Sequence, residues 1–368
     1  MPNPQYPPFD PDATLEEFAG IGKNPRFDQK IDDDEDEEIT VIYKRGDVEL
    51  PLAKPSRAVY FGDRVIYEQE ATLFDEAERA SILNTQDYPR NDQVFGELRR
   101  ACRNGVVLPF IGAGMSVSAG CKSWRDYLLG LADEAGLDVP MATERLDERA
   151  DYEGLIEDII EALSEDRFER DFERDFDGIR LEESAVALLP SLFLKCAITT
   201  NFDRVAEESW STAGVPFREK VFGRGNVASF FRAVASGDHY ILKLHGNLNS
   251  PEERVLRRAE YDASYGSDGN IHFRCALPKL LRRLYMSYSF LFLGCSLAAD
   301  RTMQTFLKVA QQEGRESLPN QYAILPAPTD ADHMRLIDRR LADGHITPIW
   351  YPEGEHDFVR QILQLLLD

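Results

Sequence analysis

No two of the five cysteines, Cys102, Cys121, Cys196, Cys275 and Cys295, are spaced as C-x-x-C, and their number is odd. That argues against a disulfide framework and against a cysteine-built zinc module, and leaves reduced thiols that fill space. Long apolar runs are also missing, since none approaches the roughly 18 residues that suggest a membrane span. The opening Met1-Pro2-Asn3-Pro4-Gln5 lacks the basic and apolar regions of a secretory signal, so a cytoplasmic protein is expected. Positive charge is scarce: 42 Lys and Arg stand against 65 Asp and Glu, a formal net charge of −23. Binding to a phosphate backbone relies on Lys and Arg displacing counterions, so no direct nucleic-acid contact is expected, and a basic protein partner suits this surface better. A core is not lacking, because 368 residues with 43% hydrophobic content can bury roughly three quarters of the unfolded surface.

Acidic charge is concentrated at the front. Residues 1–99 hold 23 Asp and Glu against 11 Lys and Arg, and seven acids run without interruption from Asp32 to Glu38. Such a run repels itself and suits a solvated linker. It precedes two alternating segments, Ile39 to Tyr43 and Val48 to Leu52, which read as a hairpin turning at Lys44-Arg45-Gly46-Asp47. A short helix is expected from Thr72 to Leu83. Residues 1–90 are therefore expected to be an acidic N-terminal extension that makes an oligomer or partner contact, followed by one domain over 91–368.

From about Asn91 strands and helices alternate, the texture of a Rossmann-like, doubly wound parallel α/β sheet. Six strands are expected: Val106 to Ile111, Phe193 to Ile198, Tyr240 to Leu244, Phe290 to Leu293, Gln321 to Leu325 and Ile346 to Trp350. A charged block from about 141 to 185 has Leu155, Ile159, Ile160 and Leu163 at helical spacing, which predicts an inserted helical subdomain covering one side of a cleft. The chain closes on a helix from Phe358 to Leu367.

Four of the strands end in small or polar residues: Gly112-Ala113-Gly114-Met115-Ser116, Thr199-Thr200-Asn201-Phe202-Asp203, Leu244-His245-Gly246 and Gly294-Cys295-Ser296. In a parallel sheet such ends converge on one crevice, so together they read as a nucleotide site. The first lies before a helix expected at Trp124 to Ala135, where backbone amides can meet a phosphate. The G-x-G-x-x-G of dehydrogenases is broken by Val117. Thr200 and Asn201 have hydroxyl and amide groups that suit a sugar ring, while Asn201 or Asp203 could equally cap the helix starting near Arg204. His245 can take a proton from water or a ribose hydroxyl, and Gly246 is read as opening space for a ligand. Cys295 has no base beside it and reads as a buried filler.

The ordered set G-A-G-M-S, T-T-N-F-D, L-H-G and G-C-S over about residues 91 to 350 resembles the sirtuin family, whose pattern is G-A-G-x-S, T-Q-N-x-D, H-G and G-T-S. The resemblance implies an NAD-binding domain. Gly112, Ala113, Gly114 and Ser116 would line the pyrophosphate site, Asn201 and Asp203 would hold the nicotinamide ribose and amide, and His245 would be the general base. Thr200 would stand in the glutamine position, and Gly294 with Ser296 would face the adenosine half. Two departures narrow the reading. The four-cysteine zinc module of protein deacylases is missing, and Lys122-Ser123-Trp124-Arg125 replaces P-x-F-R. This combination resembles the zinc-less sirtuin-like domains of bacterial antiviral defence proteins, which hydrolyse NAD to nicotinamide and ADP-ribose. NAD is then a substrate and no metal is expected. The alternatives are a protein deacylase or ADP-ribosyltransferase, and a non-catalytic NAD or ADP-ribose sensor. An NAD hydrolase must be held inactive until triggered, so a homo-oligomer is expected, with a HerA-type ATPase or helicase, or an Argonaute-like protein, as partner.

Overall fold

A computed structural model describes residues 24–33, 41–45, 48–52, 55–149, 151–175, 180–181, 184–193, 196–222, 238–248, 250–267, 269–297 and 300–367. The Pro-rich start, the acidic run beyond Asp33 and the hairpin turn at 46–47 lie outside the described residues. The chain divides into two compact units, Met1–Ser81 and Ile82–Asp368.

In the first unit, β1 (Val41–Arg45) pairs antiparallel with β2 (Val48–Leu52), with Arg45 opposite Val48. Helices Pro25–Asp32, Pro55–Gly62 and Arg64–Ile82 accompany the hairpin. A small core of Phe27, Tyr60 and Tyr67 with Ala71 holds the unit, and the Tyr67 hydroxyl donates to Asp28 at 2.7 Å. The helix expected from Thr72 begins eight residues earlier. Its start is set by Asp63, whose carboxylate accepts from the Val65 and Ile66 amides at 3.0 and 3.1 Å.

The second unit is a doubly wound, Rossmann-like α/β domain. Among the described residues its seven parallel strands are β3 (Val107–Ile111), β4 (Cys196–Thr199), β5 (Glu219–Phe222), β6 (Tyr240–Lys243), β7 (Ser289–Leu293), β8 (Gln321–Ala327) and β9 (Ile346–Pro352). They lie in the order β5-β6-β4-β3-β7-β8-β9. Six of them are the expected strands. The seventh, β5, escapes sequence reading because Glu219 and Lys220 interrupt its apolar pattern, which an edge strand tolerates.

Alternate residues of the central strands face two separate cores. Leu108, Phe110, Ile198, Leu242, Phe290 and Phe292 point to one side, whereas Val107, Ile111, Ala197, Ile241, Leu291 and Leu293 point to the other. Helices cover both faces, which is why the strands read as unbroken apolar runs. Between β3 and β4, helices Trp124–Glu134, Val139–Arg149, Tyr152–Leu163 and Glu165–Asp175 form a third core around Leu128, Leu155, Ile159, Phe168 and Phe172. The closing helix, Asp357–Leu367, buries Ile362 and Leu366.

One buried amide locks the edge strand β9 to the start of the domain. Asn91 donates to the carbonyls of Leu83 and Trp350, both at 2.7 Å, and accepts from the Trp350 amide at 3.0 Å. Asn91→Ala leaves those backbone groups unpaired, and a loss of roughly 1–3 kcal/mol is expected in urea unfolding. A change below about 0.5 kcal/mol, the range of ordinary surface substitutions, would contradict this account.

Candidate active site

After β3 the chain turns to β4 on one side and later returns to β7 on the other, so the strand order reverses around β3. The four sequence segments follow the four adjacent strands β6, β4, β3 and β7, at the end of the sheet where ligands bind in open α/β folds.

The loops after β3 and β7 touch backbone to backbone. Gly112 and Gly114 donate their amides to the carbonyls of Leu293 and Gly294, at 2.8 and 2.9 Å. Gly294 has φ +63°, and a Cβ on it would lie 2.3 Å from the Met115 nitrogen. The loop contact therefore requires glycine there. Ala113 and Gly114 remain exposed, as does Ser296, while Thr200 is half-buried. Cys295 sits beneath the loops, 3.6 Å from the Phe110 carbonyl, and burial pushes its thiol well above the usual range. It is a filler and not a nucleophile.

Ser116, presented by this contact, joins the segment after β4. The Asn201 side-chain amide donates to the Ser116 hydroxyl at 2.9 Å, and Ser116 is hydrogen-bonded in turn to the Asp203 carboxylate. All three residues are buried. Thr199 holds the turn: its hydroxyl donates to the Ile111 carbonyl at 2.7 Å and accepts from the Asn201 amide at 3.0 Å. Asp203 also plays the bland part foreseen for it, accepting from the Val205 amide at 3.0 Å at the start of helix Val205–Thr212. Burial raises its carboxyl pKa, against the pull of the Lys243 ammonium, the Ser116 hydroxyl and the Val205 amide.

Lys243, the last residue of β6, is fully buried below this turn. Its ammonium donates to the Phe202 carbonyl and the Glu207 carboxylate, each at 3.1 Å, and to the Asp203 carbonyl. A lysine inside an apolar strand needs such partners, and that charge was the sequence signal for this arrangement. Phe202, between Asn201 and Asp203, packs its ring against Trp124 and Phe172 of the helical subdomain, at 5.9 and 5.3 Å between centroids.

His245 is buried two residues after β6. Its Nε2 lies 2.9 Å from the Tyr265 hydroxyl and its Nδ1 3.4 Å from that of Tyr261. Tyr265 reaches on to the Thr302 hydroxyl at 3.1 Å. Sequence reasoning missed both tyrosines, although their spacing of four on helix Arg258–Tyr265 puts them on one face. The opening expected at Gly246 is not for a ligand. With φ +90°, a Cβ there would lie 2.5 Å from the Glu253 carbonyl, so the glycine accommodates the returning chain. Two arginines tie the helical subdomain to this side. Arg254 binds Glu169 at 2.5 Å, and Arg301 binds Glu153 and Asp262 at 3.0 and 2.6 Å.

Among the described residues, no group of three or more His, Cys, Asp or Glu side chains is placed to hold a metal. No helix there is long and apolar enough to cross a membrane.

Residues 195–349 match the family model of the SIR2-like domain, from β4 into β9. That match takes in the segments that follow β4, β6 and β7 and does not reach β3 or the loop after it. Among curated proteins the chain is similar to the NAD(+) hydrolase ThsA of Cytobacillus dafuensis, 25% identical over 289 residues, covering 74% of this chain and 54% of that protein. It is also similar to the NAD(+) hydrolase ThsA of Enterococcus faecium, 26% identical over 225 residues, covering 61% of this chain and 44% of that one. The chain spans about half the length of these curated relatives.

Burial lowers the His245 pKa to about 3, so the imidazole is neutral near pH 7. Its resonances should not titrate between about pH 8 and pH 5, where an ordinary imidazole with a pKa near 6.5 would. Because the folded pKa lies below the unfolded one, stability is lost as pH falls from about 6.5 toward 3. A His245 NMR titration midpoint near 6.5 would contradict its burial.

Proposed function

We propose that the protein is an NAD hydrolase that releases nicotinamide and ADP-ribose. The observation that carries the reading is the junction of Ser116, Asn201 and Asp203 at the strand-order reversal, with a neutral His245 on the neighbouring segment. The names of the two relatives support it.

In this reaction the bond between nicotinamide and ribose C1′ breaks, and its electron pair leaves with nicotinamide, which departs neutral. A water oxygen attaches to C1′, and its proton passes to a base and then to solvent. The leaving group is already cationic in NAD, so no strong general acid is needed. The site has to orient the ribose and position the water. Asn201 supplies a fixed polar group for the ribose and Asp203 an acceptor for the nicotinamide amide, while a neutral imidazole at His245 can receive the proton. Ala113 and Gly114, exposed beside the loop contact, would receive the pyrophosphate, and Gly294 with Ser296 the adenosine half.

In the cell such an activity would deplete NAD, which suits an antiphage effector kept silent until infection. We assign the contact that silences or assembles it to residues 1–90, through self-association or a basic partner such as a HerA-type ATPase or an Argonaute-like protein.

Nicotinamide release from NAD, without any acyl peptide, should fall by about 10²–10⁴-fold in His245→Ala, the range of a positioned acid or base. Asn201→Ala should fall comparably, with circular dichroism unchanged in both. Wild-type turnover by either variant would overturn the assignment. Binding of NAD without release by the wild type would favour a sensor, and label transfer from NAD to protein would favour a transferase.

A further inference from the structure

Both ring nitrogens of His245 face tyrosine hydroxyls, but the two contacts differ. The Nε2 distance of 2.9 Å to Tyr265 is that of a fully formed hydrogen bond, in which either group can be the donor, whereas the 3.4 Å from Nδ1 to Tyr261 is near the limit of one. Tyr265 is fully buried, and the only other hydrogen-bond partner of its hydroxyl among the described residues is Thr302, itself buried at the start of helix Arg301–Glu313. Tyr261 is half-buried and lies nearer to solvent. A neutral imidazole carries a single proton, so whichever nitrogen donates leaves the other as the base.

We propose that Tyr265 is a positioning residue that holds the His245 proton on Nε2, through the chain His245–Tyr265–Thr302, and thereby keeps the Nδ1 lone pair for the proton of the attacking water. The inference rests on the reading of His245 as the hydrolytic base. In the chain, Nε2–H donates to the Tyr265 oxygen, and the Tyr265 hydroxyl donates to the Thr302 oxygen. Burial holds both tyrosines as neutral phenols, so each can donate. Tyr261 lies against Nδ1 and would yield that position to water or a ribose hydroxyl. Its long contact makes that exchange easy, since little hydrogen-bond energy is given up at 3.4 Å. Tyr265 touches neither substrate nor water; it acts through the imidazole alone.

The test uses the intact chain labelled with ¹⁵N-histidine, with the His245 signals assigned by their loss in His245→Gln. Long-range ¹H–¹⁵N spectra near pH 7 should show Nε2 as pyrrole-like and Nδ1 as pyridine-like. In Tyr265→Phe the nitrogens should move toward a mixture of tautomers. There kcat for nicotinamide release should fall about tenfold, the worth of one hydrogen bond, while KM for NAD stays within about twofold. Thr302→Val, a nearly isosteric change, should move both readouts in the same direction by less, and it serves if Tyr265→Phe does not fold. A proton on Nδ1 in the wild type, or an unchanged tautomer in both variants, would overturn the proposal, as would a loss confined to KM. If the wild type releases no nicotinamide, the hydrolase reading fails, and the spectra alone still decide whether Tyr265 sets the tautomer.

Discussion

The site depends on the contact between two loops at the reversal of strand order. Where β3 and β7 end side by side, the amides of Gly112 and Gly114 meet the carbonyls of Leu293 and Gly294. A backbone can approach a backbone this closely only without side chains between them, and Gly294 meets the demand twice, by φ and by space. The approach places Ser116 where Asn201 reaches it from β4. Residues 85 positions apart in sequence thus share one hydrogen bond, and the crevice is built from strand ends rather than from any one loop.

Two buried polar arrangements then hold the walls by different physics. Below the Asn201–Asp203 turn the charge of Lys243 is retained and fully partnered, by Glu207 and two carbonyls. Breaking a buried pair of this kind costs about 3–5 kcal/mol, far more than the loss of an exposed pair such as Arg125–Asp147, so the turn's position rests on the former. Around His245 the opposite holds. Two tyrosine hydroxyls face the imidazole, the nearer one backed by Thr302, and burial keeps the ring uncharged. One wall keeps an ammonium in place, and the other keeps a proton off a ring nitrogen. Such a division gives fixed charge where the backbone must be held and neutrality where the proposed base would accept a proton.

Much of the architecture was legible in the sequence because a parallel sheet covered on both faces must use unbroken apolar strands, and six of seven showed themselves that way. β5 did not, since Glu219 and Lys220 open an edge strand that needs less apolar surface. The capping carboxylate of Asp63 was visible but passed over, and with it the first turns of helix Arg64–Ile82. At the site, Ser116, Asn201 and Asp203 could be named from motif order, and they meet. What the motifs hid was support by residues they did not single out: Thr199 within one segment, and Lys243, Tyr261, Tyr265 and Thr302 outside them all. Spacing of four marks the tyrosines as one helix face, yet only the fold brings that face to His245. Gly246 shows the reverse error, a glycine credited to a ligand when the returning chain at Glu253 accounts for it.

The central claim is that four strand ends form a single dinucleotide crevice. It is tested most directly by a crystal structure of the intact chain with an NAD analogue whose nicotinamide–ribose bond cannot be cleaved. The nicotinamide ribose should lie between Asn201 and His245, with the pyrophosphate against Ala113 to Ser116. A dinucleotide seated elsewhere, or a crevice that stays empty at saturating analogue, would contradict it.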